Sequence, residues 1–381
     1  MGMERLRRVT TGGTWMPEVD GLRFVAIVSV ALFHLMGEVL TRAHHVVAVQ
    51  PRYDLLVQLV GNGDRGVRLF FVLSGYILAR PFFCQYRQGG PRVSLQKYYL
   101  RRLTRLEPPY ILSLGLYAIA MQIYFHPGWG YLLPHLLASL FYVHSLVYHQ
   151  ISTINYVAWS LEVEIQFYLL VPALALLFAI THASVRRAVL LVCICVAGFV
   201  QMQPWFPQEA WLTILGHIQF FLAGFLLADL LAARGDASQK HWLWDVASLV
   251  LWPMVYWMPH NWPLSNVLLP LIFCAIYMAA FLGPGSNRCF RTQWVAVAGG
   301  MCYSTYLLHP LVIDTGFKFT SRLLIFQDFL INYGLQVLLL GVAIALVSAA
   351  FYIWVERPCM DPNWPQALLR RLRRAKTMKT A

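Results

Sequence analysis

The residues that could do chemistry are few, and they stand in apolar surroundings where ionisable groups are costly. Arg23 and His34 are eleven residues apart in an otherwise hydrophobic run. At 100° per residue that is about three turns plus 20°, so a helix places both on one face, about 16 Å apart along its axis. Glu38 follows His34 by four residues and continues the stripe. A polar stripe of this kind on an otherwise apolar helix points to function. Arg101, Arg102 and Arg105 precede Glu107–Pro108–Pro109. Spacings of three and four gather them on one helical face, and guanidinium forks match phosphate. Glu162 and Glu164 follow Trp159–Ser160–Leu161. They are separated by about 200° around a helix and face opposite ways, and Glu164 shares its face with Tyr168. His309 precedes Pro310, with Asp314 further on. Each group has an ordinary alternative: Arg23 snorkelling to the membrane surface, the arginines flanking a span, the histidines packing, a glutamate meeting a helix dipole.

The elements that must hold these groups follow from composition. Of 381 residues, 59% are hydrophobic and 12% charged, against roughly 45–50% and 25% in soluble domains. That excludes a disordered chain, a disulfide-built module and a soluble enzyme. Thirty Lys and Arg against seventeen Asp and Glu give a net charge of +13. In a membrane protein such an excess reports cytoplasmic loops rather than a nucleic-acid partner. Seven cysteines without CxxC spacing read as buried thiols, so neither a disulfide nor a metal site is assigned. GxSxG, P-loop, HExxH and GxGxxG patterns are missing, and no cleavable leader is expected.

Eleven apolar segments approach the length of a membrane span: 22–40, 66–83, 109–125, 134–149, 158–180, 187–203, 211–233, 243–258, 264–283, 294–314 and 330–354. With the N-terminus cytoplasmic, the basic stretches 84–105, 186–187, 234–240 and 370–376 all fall inside only if 134–149 does not cross. That segment begins at a proline and holds His135, His144 and His149. The expectation is an all-α integral membrane protein with about ten transmembrane helices and a re-entrant or interfacial helix between the third and fourth. Residues 1–16 are a cytoplasmic segment, 17–358 the transmembrane domain, and 359–381 a basic cytoplasmic tail on anionic lipid. Arg42, Arg52, Arg65 and Arg68 fall on the outer side, where they either serve an acidic acceptor or are exceptions to a statistical rule.

Six blocks in this order resemble the membrane-bound acyltransferase 3 family. They are Asp20–Gly21–Leu22–Arg23 with His34, Gly66–Val67–Arg68–Leu69–Phe70–Phe71–Val72–Leu73–Ser74–Gly75–Tyr76, Arg101–Arg102–Leu103–Thr104–Arg105–Leu106–Glu107–Pro108, Trp159–Ser160–Leu161 with Glu164, Gln166, Phe167 and Tyr168, Tyr303 to Pro310, and Glu356–Arg357–Pro358. Arg68 stands where the family is often acidic, and Glu162 where a small residue is common, so Glu164 is preferred over Glu162. The resemblance implies an O-acyltransferase moving an acyl group, commonly acetyl from acetyl-CoA, to a hydroxyl of a glycan, glycolipid or antibiotic, without a metal. It implies a bacterial inner-membrane protein with both termini cytoplasmic. Catalytic roles then fall to His34, as base for the acceptor hydroxyl or transient carrier of the acyl group, and to Glu38 or Glu164, which would fix its tautomer and stabilise the imidazolium. Arg23, Arg102 and Arg105 hold the acyl-CoA, and Arg68, Ser74, Trp159, Ser160, Tyr168 and His309 line the acceptor side. Membrane lipids and the acceptor are the expected partners, nucleic acid is not, and the oligomeric state is not legible. A transporter or flippase without acyl chemistry is the competing class, since ten spans with buried charges also suit transport.

Overall fold

The computed structural model describes residues 8, 15–42, 49–233, 240–260, 262, 264–361 and 364. Most of the N-terminal segment 1–16 and of the basic tail 359–381 lies outside them. Among the described residues there are helices and no strands. In chain order the α-helices are α1 (Pro17–Arg42), α2 (Asp54–Gly61), α3 (Arg65–Arg87), α4 (Leu95–Tyr124), α5 (Trp129–Leu140), α6 (His144–Tyr148), α7 (Trp159–Leu174), α8 (Ala183–Val200), α9 (Ile218–Ala232), α10 (Leu243–Trp257), α11 (Ser265–Leu282), α12 (Pro284–Phe290), α13 (Gln293–Gly300), α14 (Cys302–Thr320), α15 (Phe329–Phe351) and α16 (Arg357–Cys359). A π-helical turn, Tyr352–Glu356, joins the last two.

Their ends follow local rules. Pro17 opens α1, where its missing N–H costs nothing, and Glu18 and Asp20 sit in the first turn against the positive end of the dipole. Ser94 caps α4 by accepting the Lys97 N–H, and Asp328 caps α15 by accepting the Ile331 N–H at 3.2 Å.

Among the described residues, six stretches are long and apolar enough to cross a membrane: α1, Pro51–Arg87, Tyr156–Ala179, α8, α11 and Phe329–Cys359. A seventh results if α13 and α14, bent by 69° at their junction, form one span. The protein is thus an all-helical integral membrane protein. The other three expected crossings differ for stated reasons. The segment 109–125 is the second half of the 30-residue α4, whose first half is strongly basic. In 211–233 two 3-10 turns, Gln208–Leu212 and Ile214–Gly216, delay the helix, leaving the 15-residue α9. Helix α10 is also 15 residues; at 1.5 Å per residue each covers about 22 Å of a core about 30 Å thick. The segment 134–149 is split between α5 and the five-residue α6, with Tyr142 in the left-handed region (φ 56°) at the break. Neither piece is long enough to cross.

Helix α9 is buried along most of its length and packs on α3, α8 and α11. Gly75 and Gly224 make its contact with α3 possible: a Cβ on either would collide with the facing helix backbone. The polar groups of α9 are satisfied. Gln219 and Gln201 exchange amide bonds at 2.7 and 2.8 Å, and Asp229 accepts from both Arg186 and Arg187. Helix α1 packs on α3, α13 and α14. One large hydrophobic core runs through the molecule, and a smaller one joins α1, α14 and α15 around Leu35, Val39, Ile313 and Phe329. Outward residues such as Leu249, Val192 and Leu346 are apolar and exposed, as a lipid-facing surface requires.

The arginines expected on the outer side have protein partners. Arg42 pairs with Glu38 at 2.7 Å, Arg52 with Asp328, and Arg68 with Asp64 at 3.8 Å. Arg65 is fully buried and donates to the carbonyls of Val255 and Met258 at the end of α10. It supplies donors to a helix C-terminus whose last carbonyls have no helical partner.

Candidate active site

A cavity opens among α1, α3, α4, α7 and α14. Its polar lining is Arg8, Arg23, Ser74, Arg102, Arg105, Ser160, Glu164, Tyr168, Tyr303, Tyr306 and Glu356, and Val67, Phe70, Phe71, Leu73, Ile77 and Leu161 are part of its apolar wall. Seven of the residues singled out in the sequence therefore meet in one space: Arg23, Ser74, Arg102, Arg105, Ser160, Glu164 and Tyr168.

Asp20 organises one side. It accepts from Arg23, from Arg8 at 3.2 Å and from the Trp15 indole at 2.9 Å. The Arg23 charge is thus matched within its own helix. Arg102 and Arg105 project from α4 one turn apart and are half-buried. Among the described residues neither has a carboxylate at ion-pair distance. The Arg102 guanidinium lies 5.6 Å from the centre of the Tyr168 ring. Arg102 and Leu78 also border a second, open hollow of about 1100 Å³ lined by Arg92, Lys97, Arg101 and Tyr98. The two spaces share Leu78 and Arg102 and together present, apart from Arg8, five arginines and a lysine.

On the opposite wall Ser74 donates to Glu164 Oε1 at 2.5 Å. The Ser160 and Tyr306 hydroxyls lie 2.6 Å apart. Glu162 points away, fully buried, and accepts the Ser145 N–H at 2.8 Å, which ties α7 to α6. Trp159 also turns from the cavity and packs beside His217 and Phe71. Arg68 lies with Asp64 and the Phe220 ring.

His34 does not line the cavity. Its Nδ1 is 2.9 Å from Nε2 of His309, brought to it by α14. Neither proposed carboxylate is hydrogen-bonded to it: Glu38 is held by Arg42 one turn further along α1, and Glu164 by Ser74. Tyr306 stands between the two regions, lining the cavity with its ring 5.9 Å from that of His309. The edge of His34 rests on Tyr156, with centroids 5.1 Å apart. His34 is partly open, whereas His309 is fully buried.

Sequence reasoning quoted Tyr303, Tyr306 and Glu356 as parts of motif blocks but gave them, and Arg8, no role in the site. Glu356 ends an apolar run, which was a usable signal. It accepts the Ser304 N–H at 3.0 Å and the Ser304 hydroxyl at 2.5 Å, capping the start of α14 inside the cavity. Arg8 carried no signal beyond membership of a basic segment. All seven cysteines are unpaired. Among the described residues no group of three or more His, Cys, Asp or Glu is placed to hold a metal ion.

Comparison with known proteins identifies the family. A family model described as an acyltransferase domain matches residues 16–353. The peptidoglycan O-acetyltransferase OatA of Listeria monocytogenes is 29% identical over 178 residues, 43% of this chain and 25% of that protein. A protein named as a putative O-acetyltransferase in Staphylococcus aureus strain MSSA476 is 27% identical over 177 residues, 44% of this chain and 26% of that protein. The O-acetyltransferase OatA of Staphylococcus aureus strain NCTC 8325 is 25% identical over 244 residues, 59% of this chain and 37% of that protein. The chain spans about a quarter to a third of the length of the curated relatives it matches. No solved structure matches it. With a match covering nearly all of its helical body, the chain belongs to the acyltransferase 3 family.

Proposed function

We propose that the protein is a membrane O-acyltransferase that moves an acyl group, acetyl in the simplest case, from acyl-CoA to a hydroxyl of a glycan or glycolipid of the cell envelope. The observation that carries this is the cavity: an apolar channel with Arg23, Arg102 and Arg105 at one end and the adjoining hollow of Arg92, Lys97 and Arg101 beyond. A coenzyme A thioester has that polarity, with phosphates at one end and a slender arm and acyl group at the other. Guanidinium forks hold phosphates in charge-assisted pairs. The cationic end then faces the cytoplasm, with both termini on that side.

The acyl end must pass Tyr306 to reach His34. There Nε2 of His34 takes the proton of the acceptor hydroxyl as its oxygen attacks the thioester carbonyl. The tetrahedral intermediate collapses with cleavage of the carbon–sulfur bond. The proton returns from His34 to the departing thiolate, giving ester and free coenzyme A thiol. Ser74, Glu164, Ser160 and Tyr168 line the route, and Glu164 is the carboxylate available to steer the substrate. The relative whose printed name specifies peptidoglycan is an O-acetyltransferase; a hydroxyl-bearing glycan is therefore the acceptor class proposed here.

Purified protein in detergent, given labelled acetyl-CoA and acceptor oligosaccharides, should transfer label, because group transfer needs no closed bilayer. His34→Ala should abolish transfer without changing monodispersity. Full activity in that variant, or label movement only across sealed vesicles, would sink the assignment.

A further inference from the structure

We infer that His309 is a positioning residue, which acts through its backbone-fixed tautomer to hold His34 with Nδ1 protonated and Nε2 free. The inference rests on His34 being the base, and it comes from proton accounting along α14.

His309 Nδ1 faces two backbone carbonyls, those of Thr305 and Tyr306, each at 3.0 Å. Carbonyl oxygens only accept, so Nδ1 carries a proton. The ring is fully buried, and among the described residues it meets no carboxylate at ion-pair distance, so a charge there would be uncompensated and costly. A neutral ring protonated at Nδ1 leaves Nε2 as an acceptor. The partner of that nitrogen is His34 Nδ1 at 2.9 Å, which must donate. His34 then keeps its own Nε2 lone pair for the substrate.

The ring geometry fits. The planes differ by 5° and the centroids are 5.1 Å apart. The bond length plus the reach of a nitrogen from each ring centre accounts for that separation. The imidazoles therefore meet head-on in nearly one plane and are not stacked face to face.

Pro310 explains why the Tyr306 carbonyl is available. In a regular helix that carbonyl would accept the N–H of residue 310, and proline has none. The next rung is interrupted as well. The Leu311 N–H donates to the Tyr117 hydroxyl at 3.0 Å, and that hydroxyl donates to the Leu307 carbonyl at 3.2 Å. A proline and an inserted hydroxyl thus open the helix where His309 needs an acceptor. When His34 becomes imidazolium, its Nδ1–H bond to His309 turns charge-assisted and strengthens.

The test begins with the wild type. Nitrogen-15 spectra of histidine-labelled protein, with His34 assigned by its loss in His34→Asn, should show His34 protonated at Nδ1 and bare at Nε2. In His309→Leu the assigned signals should shift toward the opposite tautomer. Its kcat should fall about 100-fold or more, the scale of general-base catalysis, with the donor KM nearly unchanged. His309→Gln, whose amide oxygen accepts the same proton, should keep kcat within about tenfold of wild type. A wild-type His34 protonated at Nε2 would overturn the inference, as would wild-type kcat in folded His309→Leu or equal damage from the glutamine and leucine variants. If His309→Leu does not fold, the wild-type spectrum and His309→Gln still decide. An inactive wild type would end the transferase reading, while the tautomer measurement would still test this one.

Discussion

Removing one guanidinium from the cationic end of the cavity tests the donor site most directly. Arg102 and Arg105 are the arginines to choose, because neither is matched by a nearby carboxylate among the described residues, unlike Arg23 with Asp20. Neither is in an ion pair, and Arg102 gives the cleaner readout of ligand binding, because the Arg105 charge also acts on the buried Glu356. A hydrogen bond to a charged group contributes about 1.5–3 kcal/mol, and each 1.4 kcal/mol is about tenfold. Arg102→Ala and Arg105→Ala should each raise the acyl-CoA KM about 10- to 100-fold, towards the lower value because both side chains are half-buried. At saturating donor kcat should hold. Arg102→Lys keeps the charge but loses the fork and the contact with Tyr168, and should fall between wild type and alanine. The assay is initial-rate transfer from labelled acetyl-CoA in detergent, with donor varied at fixed acceptor. Unchanged donor KM in both alanine variants, with each protein monodisperse, would refute the donor placement. A fall in kcat with constant KM would move these residues to the reaction itself.

The two glutamates of α7 should separate cleanly: Glu164→Gln loses most transfer activity with little loss of stability, and Glu162→Gln lowers the detergent melting temperature while leaving the donor KM unchanged. Arg65→Met leaves the Val255 carbonyl without its side-chain donor, at about 1–3 kcal/mol for an unmade buried bond, and leaves Met258 with the Asn62 amide at 3.4 Å; thermal unfolding in detergent should show the loss. The hydrogen bond from Tyr53, with Arg52 beside it, holds the Asp328 carboxyl below its usual range. A depressed carboxylate stabilises the fold above its unfolded pKa, near 4, and that contribution is lost as pH falls through the folded value. The melting temperatures of wild type and Asp328→Asn should therefore differ at pH 7 and converge below pH 4.

What could be read from the chain alone was periodic and local. The Arg23–His34 stripe and the opposed directions of Glu162 and Glu164 follow from helical angles, and the structure has those angles. Helix lengths were harder. Residues 211–217 are apolar enough to belong to a span, but they form 3-10 turns, with the His217 ring bonded to the Trp211 carbonyl at 2.9 Å. The carboxylate expected beside His34 is where local reasoning failed. Glu38 has the right spacing, yet Arg42 has the same spacing from Glu38 and a stronger claim on it. The partner actually present, His309, is 275 residues away in sequence, and only packing of α1 on α14 brings it near. Arg65 shows the converse: an arginine that looked like a topological exception is a donor set for another helix's carbonyls.

The contact of α3 with α9 has a consequence for which changes the molecule can tolerate. Ser74, which holds Glu164, is the residue next to Gly75. Gly75 meets the backbone of α9, which answers with Gly224. The position of a cavity hydroxyl is therefore set by two main chains in contact, with no side chain between them to yield. A methyl group at position 75 or 224 would wedge the helices apart and carry Ser74 with them. Two residues with no functional group are thus as restricted as those that touch substrate, and a library selected for activity should leave both as glycine while accepting many changes on the lipid-facing side of the same helices.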